Sequence, residues 1–155
     1  MGTRSTIALE FADGTVQQVY CHWDGYLAHN GKILAEHYSD PYKLRDLIDL
    51  GDLSSLRPKI GEKHAFSQFE LRAEEVAGYK LLTEDWCTFY GRDRNENGVS
   101  AKQFKSYEDY VANHQYEEYE YILRNVDGKA VWFVADHSDR YVTLAEAFVA
   151  EEETA

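Results

Sequence analysis

The stretch Ile7-Ala8-Leu9-Glu10-Phe11-Ala12-Asp13-Gly14-Thr15-Val16 reads as a strand running into a turn. Ile7, Leu9 and Phe11 alternate with Ala8 and Glu10, the period of a strand with one apolar face, and Asp13-Gly14 suits a two-residue hairpin turn. Counting outward from that turn pairs the two arms. With Ala12 opposite Thr15, Phe11 faces Val16, Ile7 faces Tyr20, Ser5 faces His22 and Arg4 faces Trp23. The open end of the hairpin then gathers a guanidinium, a hydroxyl, an imidazole and an indole.

The rest of the chain alternates between helical and strand patterns. Beyond Gly25, the residues Leu27, Ile33, Leu34 and Tyr38 recur at helical spacing, with Gly31 weakening the first half and delaying the start. Ser39-Asp40-Pro41 restarts the chain as a second helix carrying Leu44, Leu47 and Ile48, and Gly51 stops it. Residues 52–80 have mixed periodicity and are expected to be loops with one short strand near residues 65–71. A strand over residues 86–90, a polar loop over 91–98 and a short helix opened by Ser106 and Asp109 follow. Residues 116–124 and 129–136 then make a second hairpin around Asp127-Gly128. Thr143 and Glu146 form a capping box for a last helix that frays into Glu151-Glu152-Glu153. The sum is α+β. A single domain over residues 1–150 is expected, its mainly antiparallel sheet built from two β-hairpins with helices packed on one face, and residues 151–155 form a disordered acidic tail.

Charge narrows the function classes. The formal net charge is −12, from 16 basic and 28 acidic residues. A direct nucleic-acid binder held by Lys and Arg on phosphates is therefore disfavoured. The acidity is concentrated at the end, where residues 106–155 hold 3 basic and 12 acidic groups. No apolar run approaches the roughly 18 residues that cross a bilayer, so no membrane partner is expected. Only Cys21 and Cys87 occur, and the start of the chain lacks the pattern of a signal peptide. A reduced, cytoplasmic setting follows.

Familiar signatures of catalysis are absent. There is no glycine-rich phosphate loop with a lysine, no nucleophile elbow and no His-Glu-x-x-His helix. Asp93-x-Asn95-x-Asn97-Gly98 matches the first half of a calcium loop, yet Phe104 stands where the bidentate glutamate belongs, which favours a polar turn. The histidines and cysteines lack zinc-ligand spacing, so neither a metal nor a cofactor is expected. Arg92 and Arg94 read as solvated charges in preference to an anion site. Asp136-His137-Ser138-Asp139 has the composition of an ordinary turn in preference to a proton-transfer site.

Two features carry a functional reading. In Tyr20-Cys21-His22-Trp23-Asp24-Gly25-Tyr26, rings, donors and a carboxylate stand where a solvated loop would use small polar residues. The ligand-binding set is Arg4, Ser5, His22, Trp23, Asp24, Tyr26 and Lys32, a mixture suited to a nucleotide-like small molecule. A hydrophobic corner with His22 bonded to Ser5 is the bland alternative. The second feature is the row Glu117, Glu118 and Glu120, set among tyrosines. It reads either as a mimic of a phosphate row or as a charged edge strand.

Thr3-Arg4-Ser5-x-Ile7, Asp13-Gly14-Thr15-Val16, the Tyr20 to Tyr26 motif, Gly31-Lys32 and Leu50-Gly51-Asp52-Leu53-Ser54-Ser55-Leu56 together resemble a family of small phage, prophage and plasmid proteins. The resemblance covers about the first third of the chain. It implies counter-defence in the cytoplasm of a bacterial host, by association with such genes. Three mechanisms fit that context. The first is sequestration of a nucleotide-derived immune signalling molecule at the Arg4/His22/Trp23 corner, completed across a homo-oligomer interface. The second is occlusion of a basic host defence protein by the acidic last third, in the manner of an anti-CRISPR or anti-restriction inhibitor. The third is a small nucleotide hydrolase using His22 and Asp24. The aromatic motif favours sequestration, since an acidic surface also serves solubility.

Overall fold

The computed structural model describes residues 2–136 and 140–154. In chain order the strands and helices are β1 (Ser5–Glu10), β2 (Val16–Cys21), α1 (Lys32–His37), α2 (Pro41–Asp49), β3 (Leu53–Ser55), α3 (Val76–Asp85), β4 (Thr88–Phe89), α4 (Tyr90–Arg94), β5 (Lys102–Phe104), α5 (Tyr107–Asn113), β6 (Tyr119–Val126), β7 (Lys129–Asp136), β8 (Val142–Thr143) and α6 (Leu144–Thr154). The strands join in one sheet of order β4-β3-β2-β1-β6-β7-β8, with β5 added beside β2. The chain is thus a single α+β domain. Its sheet is mixed, because the two hairpins meet along a parallel seam in which Ile7 pairs with Tyr121, and β2 meets β3 in parallel at Cys21.

Alternation along the strands makes two cores. Odd positions of β1, β2 and β6, such as Ile7, Leu9, Val19, Tyr121 and Leu123, face the larger one. Against them α2 sets Leu44, Leu47 and Ile48, a stripe at helical spacing that is fully buried. This helix starts as expected, with Pro41 in its first turn and the Asp40 carboxylate accepting from the Tyr42 N–H at 3.0 Å. Gly51 ends it at φ 85°, donating to the Ile48 carbonyl. Even positions, including Ala8, Val16 and Ile122, face a second core closed by Tyr110 of α5. Helices therefore cover both faces of the sheet, where one was expected.

Several other expectations give way to tertiary structure. Residues 65–71 contain no strand. The chain there makes 3-10 turns at Gln68–Glu70 and Ala73–Glu75 and then enters α3, none of whose residues is buried. The stretch expected as a polar loop opens with α4. Its Asp93, far from being a calcium ligand or turn residue, is buried and accepts from the backbone N–H groups of Phe89 (2.8 Å) and His64 (3.1 Å). Arg92 is likewise no solvated charge. It donates to Asp93 and to the carbonyls of Ile60, Gly61 and Cys87, pinning the segment before α3 onto the sheet. The last helix continues through Thr154, so the acidic run is helical where a disordered tail was expected. Its start matches expectation, with Glu146 N–H donating to the Thr143 hydroxyl at 3.1 Å. His137, Ser138 and Asp139 lie outside the described residues. Among the described residues no helix is long and apolar enough to cross a membrane.

Candidate functional site

The first hairpin is one residue out of the expected register. Ser5 pairs with Cys21, Thr6 with Tyr20 and Ile7 with Val19. The loop holds three residues, with Phe11 N–H donating to the Thr15 carbonyl at 2.8 Å and Gly14 at φ 90°. Because side chains alternate, a slip of one residue moves each neighbour to the other face. Ser5 goes to the buried face with Cys21, and the register carried one step further sets Arg4 across from His22. Arg4, Thr6, Tyr20 and His22 share the opposite face.

The loop after β2 is fastened on three sides. His22 and Trp23 donate their backbone N–H groups to the carbonyls of Leu53 and Ser54, each at 3.0 Å, extending the β3 contact. Gly25 N–H donates to the Thr3 carbonyl at 2.7 Å. A Cβ on Gly25 would lie 2.7 Å from that of Ser5, so only glycine allows this approach. From below, the buried amide of Asn30 reaches the Ser5 hydroxyl (3.2 Å) and the Trp23 carbonyl (3.3 Å). Asn30 was missed in the sequence. Its signal was a polar side chain beside Gly31 within an otherwise apolar helical pattern.

On that platform the rings stand at the surface. Trp23 is 42% exposed and Tyr26 40%. The His22 and Trp23 rings meet edge to face, centroids 4.7 Å apart, and the Tyr20 hydroxyl lies 2.7 Å from His22 Nδ1. Arg4 is exposed, and its guanidinium has no hydrogen-bonding or ion-pair partner among the described residues. Its charge acts on Tyr20, where burial is the larger influence and pushes the hydroxyl up to about 12.

The structure divides the expected ligand-binding set. The Trp23 ring meets His22, and the register carried past Ser5 sets Arg4 across from His22, but no cation–π contact joins Arg4 to Trp23 among the described residues. Ser5 is fully buried and occupied by Asn30, so it is no ligand group. Lys32 lines a separate cavity of about 440 Å³ with Ala28, Phe148, Glu151 and Glu152. The Tyr26 ring packs toward His29, 6.0 Å between centroids. Asp24 makes the turn at φ 58° and forms no ion pair with His22 among the described residues. The hydrolytic His22/Asp24 pairing is therefore not assembled.

The acidic row is also divided. β6 lies between β1 and β7, so it is no edge strand. Glu120 is 2% exposed, accepting from His114 Nε2 at 2.7 Å and from the Tyr141 hydroxyl at 3.0 Å. Glu117 accepts from Gln115, and Glu118 from the Arg4 N–H. A continuous interaction row of Glu117, Glu118 and Glu120 does not form, because its last member neutralises an internal histidine. Among the described residues, no group of three or more His, Cys, Asp or Glu side chains is placed to hold a metal ion. In comparisons with known proteins the chain matches no family, no curated protein and no solved structure.

Proposed function

We propose that this chain is a binding protein that sequesters a nucleotide-derived signalling molecule of a bacterial host's immune system at the Arg4/His22/Trp23 corner. The observation that carries the reading is the exposed indole of Trp23, held edge-on by His22 on a backbone fixed at both residues, with an unpaired guanidinium one strand away. A single exposed tryptophan is ordinary on a protein surface. Its rigid mounting beside two nitrogen donors is what suits a nucleotide: the base stacks on the ring, worth about 1–3 kcal/mol, while the phosphoryl oxygens accept from Arg4 and His22. The counter-defence setting rests on the resemblance of the first third of the chain to phage, prophage and plasmid proteins.

The test is release of ligand. Purified protein incubated with bacterial extract, washed and heated is expected to release an intact phosphorylated nucleotide, identified by mass spectrometry. Trp23→Ala and Arg4→Ala should release none; Arg4→Ala, whose side chain is exposed, should melt at the wild-type temperature, and Trp23→Ala, which also removes the ring contact with His22, somewhat below it. A chemically altered nucleotide would point to hydrolysis instead, and an empty supernatant would contradict the proposal.

A further inference from the structure

Tyr20 stands two residues before His22, so both side chains leave the sheet on the same face and meet at 2.7 Å. A neutral imidazole carries its hydrogen on one nitrogen and accepts on the other, so this contact has two forms. Either the phenol donates to Nδ1, or Nδ1–H donates to the phenol oxygen. A phenol is a much stronger acid than a neutral imidazole N–H, and an imidazole nitrogen a much stronger base than a phenol oxygen. The bond therefore runs from the Tyr20 hydroxyl to Nδ1. The other ring nitrogen, Nε2, has no hydrogen-bonding partner among the described residues.

We propose that Tyr20 is a positioning residue that holds His22 as the tautomer protonated at Nε2, so that the corner presents an N–H donor and the Arg4 guanidinium to a phosphoryl group and offers it no basic nitrogen. The ligand class follows from the donor set. A phosphate ester supplies acceptor oxygens to both groups, whereas a cationic or donor-rich ligand would meet only like polarity. The same bond removes His22 as a general base, because its lone pair is engaged on the inner side of the ring. This step rests on the binding role proposed for the corner, but it can fail independently of it.

Nitrogen-15 NMR of the imidazole rings in the full chain at about pH 8 reads the tautomer directly. The wild type should show His22 with Nε2 protonated and Nδ1 unprotonated, and Tyr20→Phe, which keeps the ring, should shift both nitrogens toward a mixture of the two tautomers. A proton found on Nδ1, or a spectrum unchanged by Tyr20→Phe, would overturn the assignment. Titration with inorganic pyrophosphate supplies the second reading. His22 Nε2–H should move on addition, and Tyr20→Phe should weaken binding about twofold, because a ring shared between two tautomers presents the Nε2–H donor only part of the time. With the tautomer as assigned, absence of any pyrophosphate effect on His22 would overturn the ligand class and leave the Tyr20–His22 bond standing.

Discussion

The two hairpins carry the same Asp-Gly dipeptide and close on it differently. At Asp127-Gly128 both residues are left-handed, φ 52° and 82°, and Val126 pairs with Lys129 across a two-residue turn. At Asp13-Gly14 only the glycine is left-handed, and the loop takes in Ala12 as well. Neighbouring side chains account for the difference. Asp13 Oδ1 accepts from both the N–H (3.0 Å) and the hydroxyl (2.6 Å) of Thr15, which keeps the aspartate out of the left-handed region. In the second turn it is Asn125 that reaches over, accepting from Gly128 N–H at 2.9 Å. Asp-Gly says that the chain turns; the flanking side chains decide where.

The ends of the hairpins away from these turns differ as well. The first sends His22 and Trp23 toward water. The second sends Glu120 beneath α5, where it meets a histidine whose other ring nitrogen faces the Tyr110 carbonyl at 2.7 Å. With an acceptor at each nitrogen, His114 is held as an imidazolium. Burial opposes that charge, but the hydrogen bond and charge of Glu120, together with the Tyr110 and Val111 backbone, outweigh it and raise the histidine above its ordinary value.

This contrast can be broken at either end. Glu120→Ala leaves an internal cation unpaired and should cost about 3–5 kcal/mol in urea unfolding, the largest effect expected of any single change here. The pH dependence has a definite sign. A histidine raised in the folded state lends stability that is fully present below its unfolded value of about 6.5 and is lost as pH rises through the folded one. The wild-type urea midpoint should therefore fall as pH rises above about 6.5, and Glu120→Gln should flatten that fall. Smaller effects belong to the turns. A Cβ would meet open space at both Gly14 and Gly128, so Gly14→Ala and Gly128→Ala should each cost only the left-handed backbone penalty, about 1–2 kcal/mol in thermal melts. The aspartates should then part company. Asp127→Gly, which relieves a left-handed residue, is expected to change stability by less than about 0.5 kcal/mol, whereas Asp13→Gly should lower the melting temperature by removing the contacts with Thr15.

What the sequence made legible follows the same logic. Both hairpins, the capped helix over Pro41–Asp49 and the Thr143/Glu146 helix start were readable because local chemistry specifies them. Register in the first hairpin was not. Its second strand has apolar residues of both parities, Val16 and Tyr20 against Val19 and Cys21, so only the assembled core selects a face. The helix Val76–Asp85 was hidden because it buries nothing and so shows no clean apolar stripe. At the candidate site, the rings and the cation were visible as residue types. The role of Asn30 beneath the loop depends on contacts that no local spacing encodes, whereas Tyr20 shares a face with His22 by strand alternation and only their hydrogen bond needed the structure.

The most direct test is a through-space proton NMR spectrum of the first hairpin in the intact protein. Backbone contacts joining Ile7 to Val19 and Ser5 to Cys21 are expected, the register that sets Arg4 across from His22 and on one face with Tyr20. Contacts joining Ile7 to Tyr20 and Ser5 to His22 would contradict it and take Arg4 off the face it shares with Tyr20 and His22.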